Sequence, residues 1–229
     1  MKESFNSFRK GLIVSCQSEG NSPFNNPGDM AKFAVCAQMG GASAIRAEGL
    51  QKIRAILNAV SLPLIGLIKS SFPDGSVLIT GKEKDITDLV EAGCQVVALD
   101  GTFRLREHMD GPSFIRHIKS NHQVNLLADV STLEEGLACL DAGADAVATT
   151  LSGYTPGHQG AQRNMPDFKL LKKLVDHLGE QIPVIAEGRI NTPELAREAI
   201  GLGAWAVVAG TAITRPQTIT KWYKDAIKA

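Results

Sequence analysis

Short apolar runs that stop abruptly on a polar residue recur through the chain, and this pattern restricts its fold more than any other feature. GLIVSCQ ends at Gln17, SAIR at Arg46, PLIGLIK at Lys69, VVALD at Asp100, NLLAD at Asp129, DAVATT at Thr150 and IPVIAE at Glu187. An apolar run of this length bounded by turn-formers reads as a buried strand. A charge at its last position cannot remain unpaired in a core, so it emerges at the strand's carboxyl end. Polar groups gathered at the same end of consecutive strands predict one active face.

Strand-like runs begin near Leu12, Ser43, Leu64, Gln95, Val124, Asp145, Pro183 and Trp205. Their spacing of roughly 20 to 40 residues leaves room for a helix in each interval. The intervening stretches, among them EKDITDLVEA, TLEEGLACLDA and MPDFKLLKKLVDHL, repeat apolar positions at three- and four-residue steps. EAGCQVVALD, DAGADAVATT and GLGAWAVVAG form a weak repeat that sets Gly93, Gly143 and Gly203 between a helix and a strand. That is the left-handed position after a helix, where a side chain would be strained. Thr132 with Glu135 forms a capping box, and Thr192 caps a helix that begins at Pro193.

Repeated βα units with apolar strands imply a parallel sheet covered by helices. Eight of them favour an α/β fold of the closed (β/α)8, or TIM-barrel, type. No Pro/Gly-rich linker divides the 229 residues, so a single domain over 1–229 is expected. An open doubly wound sheet is the alternative, but G-x-G-x-x-G is absent after the first strand, where SCQSEGNSPFNNPGD stands instead. In a barrel, chemistry sits at the carboxyl ends of the strands and phosphate commonly sits on the last two loops.

Composition narrows the partners. Lys plus Arg equals Asp plus Glu at 24 each, so no bulk field favours nucleic acid or an anionic membrane. An anionic ligand must be held by local groups. Cys16, Cys36, Cys94 and Cys139 form no C-x-x-C and read as reduced core thiols of a cytoplasmic protein. No apolar run is long enough to span a bilayer. The opening MKESFNSFRKG lacks a signal peptide's apolar stretch and reads as a helix entering the first strand. His108, His117, His122 and His177 fall in or near polar helical segments, and His158 on the loop after the sixth strand. The histidines are expected not to converge, so nothing specifies a metal. Neither a flavin nor a nicotinamide signature is evident.

The last two loops, EGRINTPE and AGTAITR, read as a phosphate cup. Gly188 and Gly210 let backbone N–H groups approach an anion, a short helix begun at Thr211 adds its positive end, and Arg189 or Arg215 supplies a charged fork. Lys69 reads as a general base or a Schiff-base nucleophile, or else as a rim lysine paired with an acid. Glu187 reads as a second acid/base, an anchor for substrate hydroxyls, or an ion-pair partner of Lys69 or Arg46. A Lys and a Glu about half a barrel apart can flank one carbon from two faces. Asp129 and Asp100 are candidates for orienting a hydroxyl or an amine, although Asp100 equally suits a turn with Gly101. Arg46 and Gln17 are donors suited to a carbonyl, an amide or a phosphate. Tyr154 lies on a Gly/Pro-bounded loop able to close over a ligand.

These stretches resemble the N-acetylmannosamine-6-phosphate 2-epimerase family. The resemblance is carried by GLIVSCQ, AIRAEG, IGLIK, ALDGT, LADVST, TTLSGYT, VIAEGR, NTPELA, GAWAVVAGTAITRP and the terminal Trp222-Tyr223. It implies inversion at C2 between N-acetylmannosamine 6-phosphate and N-acetylglucosamine 6-phosphate, a step in bacterial use of sialic acid and amino sugars, with no metal or redox cofactor. It further implies Lys69 as catalytic base and Glu187 as its acidic partner. Gln17, Arg46 and Asp129 match positions that contact substrate, and Gly188, Arg189, Gly210 and Arg215 match the phosphate loops. Whether one residue or two serve the two faces of C2 stays open at this point. A Schiff-base aldolase or lyase acting on a phosphosugar and a non-catalytic sugar-phosphate sensor are the competing readings. The apolar residues of the terminal WYKDAIKA permit a homodimer.

Overall fold

The computed structural model describes residues 3–18, 20–155 and 164–228. His158 and most of the GHQGAQRN stretch lie outside the described residues. Eight parallel strands close a barrel: β1 (Leu12–Cys16), β2 (Ala44–Glu48), β3 (Leu64–Leu67), β6 (Val96–Asp100), β7 (Leu126–Asp129), β8 (Ala146–Ala148), β9 (Val184–Glu187) and β10 (Ala206–Ala209). Between β3 and β6 a separate antiparallel pair, β4 (Lys69–Ser71) and β5 (Val77–Ile79), forms a hairpin. The covering helices are α2 (Pro27–Met39), α3 (Leu50–Leu57), α4 (Glu83–Glu91), α5 (Gly111–Asn121), α6 (Leu133–Asp141), α7 (Phe168–Leu178) and α8 (Pro193–Gly201). Short α1 (Glu3–Asn6) precedes β1, and α9 (Thr211–Thr214) and α10 (Pro216–Ile227) follow β10.

Two periodicities build two cores. Alternate strand residues such as Ile13, Ile65, Val96, Leu127, Ile185 and Val208 fill the barrel's interior, because successive side chains of a strand point to opposite faces. The residues between them, including Val14, Ile45, Val97, Leu126 and Val147, pack outward against the helices. Continuing the inward parity to the strand ends brings Ser15 and Gln17, Arg46, Asp100, Asp129, Thr150 and Glu187 to one mouth. At the opposite mouth Phe5 and Phe8 meet edge to face at 5.6 Å and complete the interior core. The Trp205 indole donates to the Phe5 carbonyl at 2.8 Å and fixes this plug.

The expected local signals are present. Gly93, Gly143 and Gly203 have φ of 101°, 107° and 97°. Thr132 and Glu135 complete their capping box, and Thr192 accepts from the Leu195 N–H. Four expectations need correction. The SAIR strand runs on past Arg46 to Glu48, and the DAVATT strand stops at Ala148, leaving Thr150 in a 3-10 turn. The PLIGLIK strand stops at Leu67, so Lys69 opens the β4–β5 hairpin rather than closing a barrel strand. Cys36 is exposed on α2, whereas Cys16, Cys94 and Cys139 are buried. No helix among the described residues is long and apolar enough to cross a membrane.

The start of α5 is pinned to the end of β6 by close backbone approach. A Cβ on Gly111 would stand 2.4 to 2.7 Å from backbone atoms of Gly101, and no side-chain rotation relieves such a clash. Gly111→Ala should cost about 2–3 kcal/mol, read as a lower urea midpoint at unchanged m-value. An unchanged midpoint would contradict this tight crossing.

Candidate functional site

Arg46 occupies the centre of the mouth, at 1% exposure. Its Nη1 and Nη2 donate to Asp129 Oδ1 and Oδ2 at 3.1 and 2.6 Å, and Nη1 lies 3.0 Å from Glu187 Oε2. Burial opposes the guanidinium's charge, but Asp129 and Glu187 outweigh it and hold Arg46 more strongly protonated than usual. Asp129 has no exposure, and Thr150 Oγ1 also donates to its Oδ1 at 2.6 Å. Asp129 therefore meets Arg46 and Thr150 directly and is not among the residues lining the adjacent cavity.

Glu187 is the carboxylate left with capacity. Its Oε2 is buried and in ion-pair range of Arg46, yet receives no hydrogen bond. Its carboxyl is raised to about 7 on balance: burial pushes it up most, Arg46 pulls it down, Asp129 pushes it up, and Thr150 and Lys69 pull it down. An acid poised there donates and accepts protons near neutrality. Thr149 fixes the backbone of Glu187 from both sides, its hydroxyl donating to the Glu187 carbonyl at 2.9 Å and accepting from the Glu187 N–H at 3.1 Å.

A cavity of about 590 Å3 opens over this cluster. Lys69 and Glu187 both line it. Glu187 ends β9, and β3, which leads into the hairpin carrying Lys69, is four places from β9 in either direction around the eight-stranded ring. Gln17 lines the same cavity and donates from Nε2 to Ser15 Oγ at 2.9 Å. Gly188, Arg189, Gly210, Thr211 and Arg215, from the loops after β9 and β10, line it as well. Gly188 and Arg189 take consecutive left-handed conformations, φ 107° and 59°, which turns the loop after β9 sharply. Gly210 precedes α9 and passes close to β1, where an added Cβ would meet Ser15 Cβ at 3.1 Å. Arg189 donates to the carbonyls of Met165 and Ser152 at 2.7 and 3.0 Å, and its guanidinium lies 5.2 Å from the Tyr154 ring centre. Tyr154 is 55% exposed and lines the cavity.

Asp100 does not join this cluster. It accepts from the Thr102 N–H and hydroxyl and pairs with Arg104 and Arg106, so its turn-forming reading is the one realised. The histidine expectation needs correction, because His117 and His122 both reach Glu83, at 2.9 and 2.7 Å. Glu83 opens α4 and both histidines lie at the end of α5, a long-range meeting that residue spacing cannot disclose. Among the described residues, no group of three or more His, Cys, Asp or Glu is arranged to hold a metal. Ser15 and the hairpin residues Ser70, Ser71 and Ile79 line the cavity unannounced. Ser15 shares the inward parity of Ile13 and Gln17, a signal present in GLIVSCQ.

Residues 30–229 match the protein family described as "Putative N-acetylmannosamine-6-phosphate epimerase". A protein of Clostridium perfringens (strain SM101 / Type A), named "Putative N-acetylmannosamine-6-phosphate 2-epimerase", is 44% identical over 219 residues, 95% of this chain and 96% of that protein. One of the same name from Cutibacterium acnes is 42% identical over 221 residues, 95% of this chain and 94% of its own length. Among solved structures, the N-acetylmannosamine-6-phosphate 2-epimerase from Clostridium perfringens aligns with a TM-score of 0.89 at 42% identity, covering 97% of this chain and 95% of that one.

The raised carboxyl of Glu187 gives a signed prediction. The folded chain keeps this proton over a pH range where the unfolded chain releases it. The group's contribution to stability is thus fully present below about pH 4.5 and is lost as the pH rises to about 7. Subtracting the stability of Glu187→Gln from that of the wild type should give a difference that falls across this window and is flat above it. A difference that rises with pH would reverse the assignment.

Proposed function

The chain belongs to the N-acetylmannosamine-6-phosphate 2-epimerase family, and on that premise we propose that it interconverts N-acetylmannosamine 6-phosphate and N-acetylglucosamine 6-phosphate by moving a proton at C2. The observation that carries this reading is that Lys69 and Glu187 line one cavity, Lys69 from the hairpin after β3 and Glu187 from the end of β9. Inversion at a carbon through two groups takes a base on one face and an acid on the other.

Lys69, acting as the base, takes the C2 proton on its side-chain nitrogen. The electron pair of the broken C–H bond moves into the C1 carbonyl of the open-chain sugar and forms an enolate. Protonated Glu187 delivers its proton to the opposite face of C2, and the enolate collapses back to the carbonyl. Solvent then takes the proton from Lys69 and returns one to Glu187, and the reverse reaction exchanges the two roles. No redox or metal chemistry is needed for these steps to balance. Gln17 and Arg46, which line the cavity, receive the carbonyl and amide oxygens in this reading, and Asp129 holds Arg46 in register. Gly188, Arg189, Gly210, Thr211 and Arg215 hold the phosphate away from the reacting carbon, so that binding energy fixes the sugar's register. Tyr154 covers the phosphate side beside Arg189.

The same reading makes the protein a cytoplasmic enzyme of sialic acid and amino sugar catabolism, in keeping with its unpaired cysteines. It also includes a homodimer, supported by α10, which buries none of its residues and leaves Tyr223 and Ile227 71% and 84% exposed.

Incubation with N-acetylmannosamine 6-phosphate in D2O, followed by proton NMR, tests the activity. The gluco epimer should appear with deuterium at C2, and Lys69→Ala should slow its appearance by roughly 10^3-fold. Epimer that retains its original C2 proton throughout would exclude exchange through these side chains. A covalent adduct on borohydride treatment would point to imine chemistry at Lys69 instead.

A further inference from the structure

Lys69 is not carried on a barrel strand, and what fixes it must therefore be sought in the hairpin. Within the hairpin Lys69 pairs with Ile79, Ser70 with Leu78 and Ser71 with Val77. A two-stranded hairpin of this length is marginal without outside support. At its base, Thr80 N–H donates to the Ile68 carbonyl at 2.7 Å, and Thr80 Oγ1 donates to the Ala98 carbonyl of β6 at 2.6 Å. Thr80 holds this place in a left-handed conformation, φ 48°, costly for a β-branched residue. The base is thereby tied to the barrel, but the far end is not.

Arg104 makes the second tie. Its Nη1 donates to Ser76 Oγ at 3.0 Å and its Nη2 to the Val77 carbonyl at 3.2 Å, both on the returning arm of the hairpin. The same Nη2 pairs with Asp100 Oδ2 at 2.6 Å, and Nε donates to Thr102 Oγ1 at 3.1 Å. The guanidinium lies 4.2 Å from the ring centre of Phe72 at the hairpin turn. Asp100 is itself immobile: it has no exposure and is also held by Arg106 and Thr102. One guanidinium thus bolts the hairpin's far end to the end of β6, and β5 transmits that constraint across the ladder to Lys69.

We propose that Arg104 is a positioning residue for the reaction, holding the β4–β5 hairpin so that Lys69 stands at a fixed distance from the substrate's C2. This rests on Lys69 being the base. Arg104 is not among the cavity-lining residues, and the phosphate-side loops lie on other strands, so loosening the hairpin weakens proton transfer more than substrate capture.

Two variants test it. Arg104→Lys keeps a cation beside Asp100 and an alkyl stem over Phe72, but its single ammonium cannot hold Asp100, Ser76 and Val77 together. It should leave the melting temperature near wild type while kcat falls by about 10-fold and KM shifts by less than about 3-fold. Arg104→Ala should lower kcat by about 100-fold with the same small change in KM. In both, amide hydrogen exchange should accelerate across residues 69–79 and not in the strands of the barrel. Wild-type kcat in Arg104→Lys despite faster hairpin exchange would overturn the inference. So would a loss shared equally by kcat and KM together with a general fall in exchange protection. A wild-type protein without turnover would overturn the proposed activity and this inference together, whereas an active wild type with unaffected variants overturns this inference alone.

Discussion

The mouth of the barrel depends on one buried cation facing two carboxylates. Asp129 and Glu187 stand on β7 and β9, separated by β8 alone, and neither can be buried as an anion without a counter-charge. Arg46 reaches them from β2, three places away in the ring from each. A planar fork suits this span, because it engages both oxygens of Asp129 and still lies beside Glu187. The interior core has small side chains at Ala44, Ala98, Ala146, Ala148 and Ala206, which leaves room for so long a residue at the centre.

The two carboxylates come out of this arrangement unequal. Asp129 takes both donors of the fork and the Thr150 hydroxyl. Glu187 retains an oxygen without a hydrogen bond, and burial raises its proton affinity. Paired acids whose surroundings divide them in this way suit different roles, one committed to fixed hydrogen bonds and one free to exchange a proton. The supports of Glu187 and of Lys69 differ in kind. Glu187 sits on a barrel strand locked by Thr149, whereas Lys69 sits on a hairpin that needs its own anchors at Thr80 and Arg104.

Much of this was legible in the sequence, because strand parity and the βα spacing are written directly in residue order. Asp129 and Glu187 close their strands where the apolar runs stop, Gln17 stands one residue past β1 and Arg46 inside β2, and the left-handed glycines follow from their junctions. The hairpin was hidden because PLIGLIK reads as one continuous strand, although Phe72-Pro73-Asp74-Gly75 carries a turn signal that marks the reversal. Side-chain meetings across the fold left no local trace. Glu83 with His117 and His122, and Arg104 with Ser76, depend on elements brought together only by the tertiary fold, as does the seating of Phe5 and Phe8 in the interior core. The sequence also placed Asp129 at the mouth without showing that Arg46 would take both of its oxygens.

The division of labour between the two acids can be read at the carboxyl carbon itself. Labelling glutamate side chains with 13C and following their shifts from pH 4 to 9, in wild type and Glu187→Gln, isolates the group in question. One resonance, missing from the variant, should titrate near pH 7. Titration of the Glu187 resonance in the ordinary carboxylate range, around 4.5, would contradict the account, since Glu187 would then hold no proton to deliver at neutral pH.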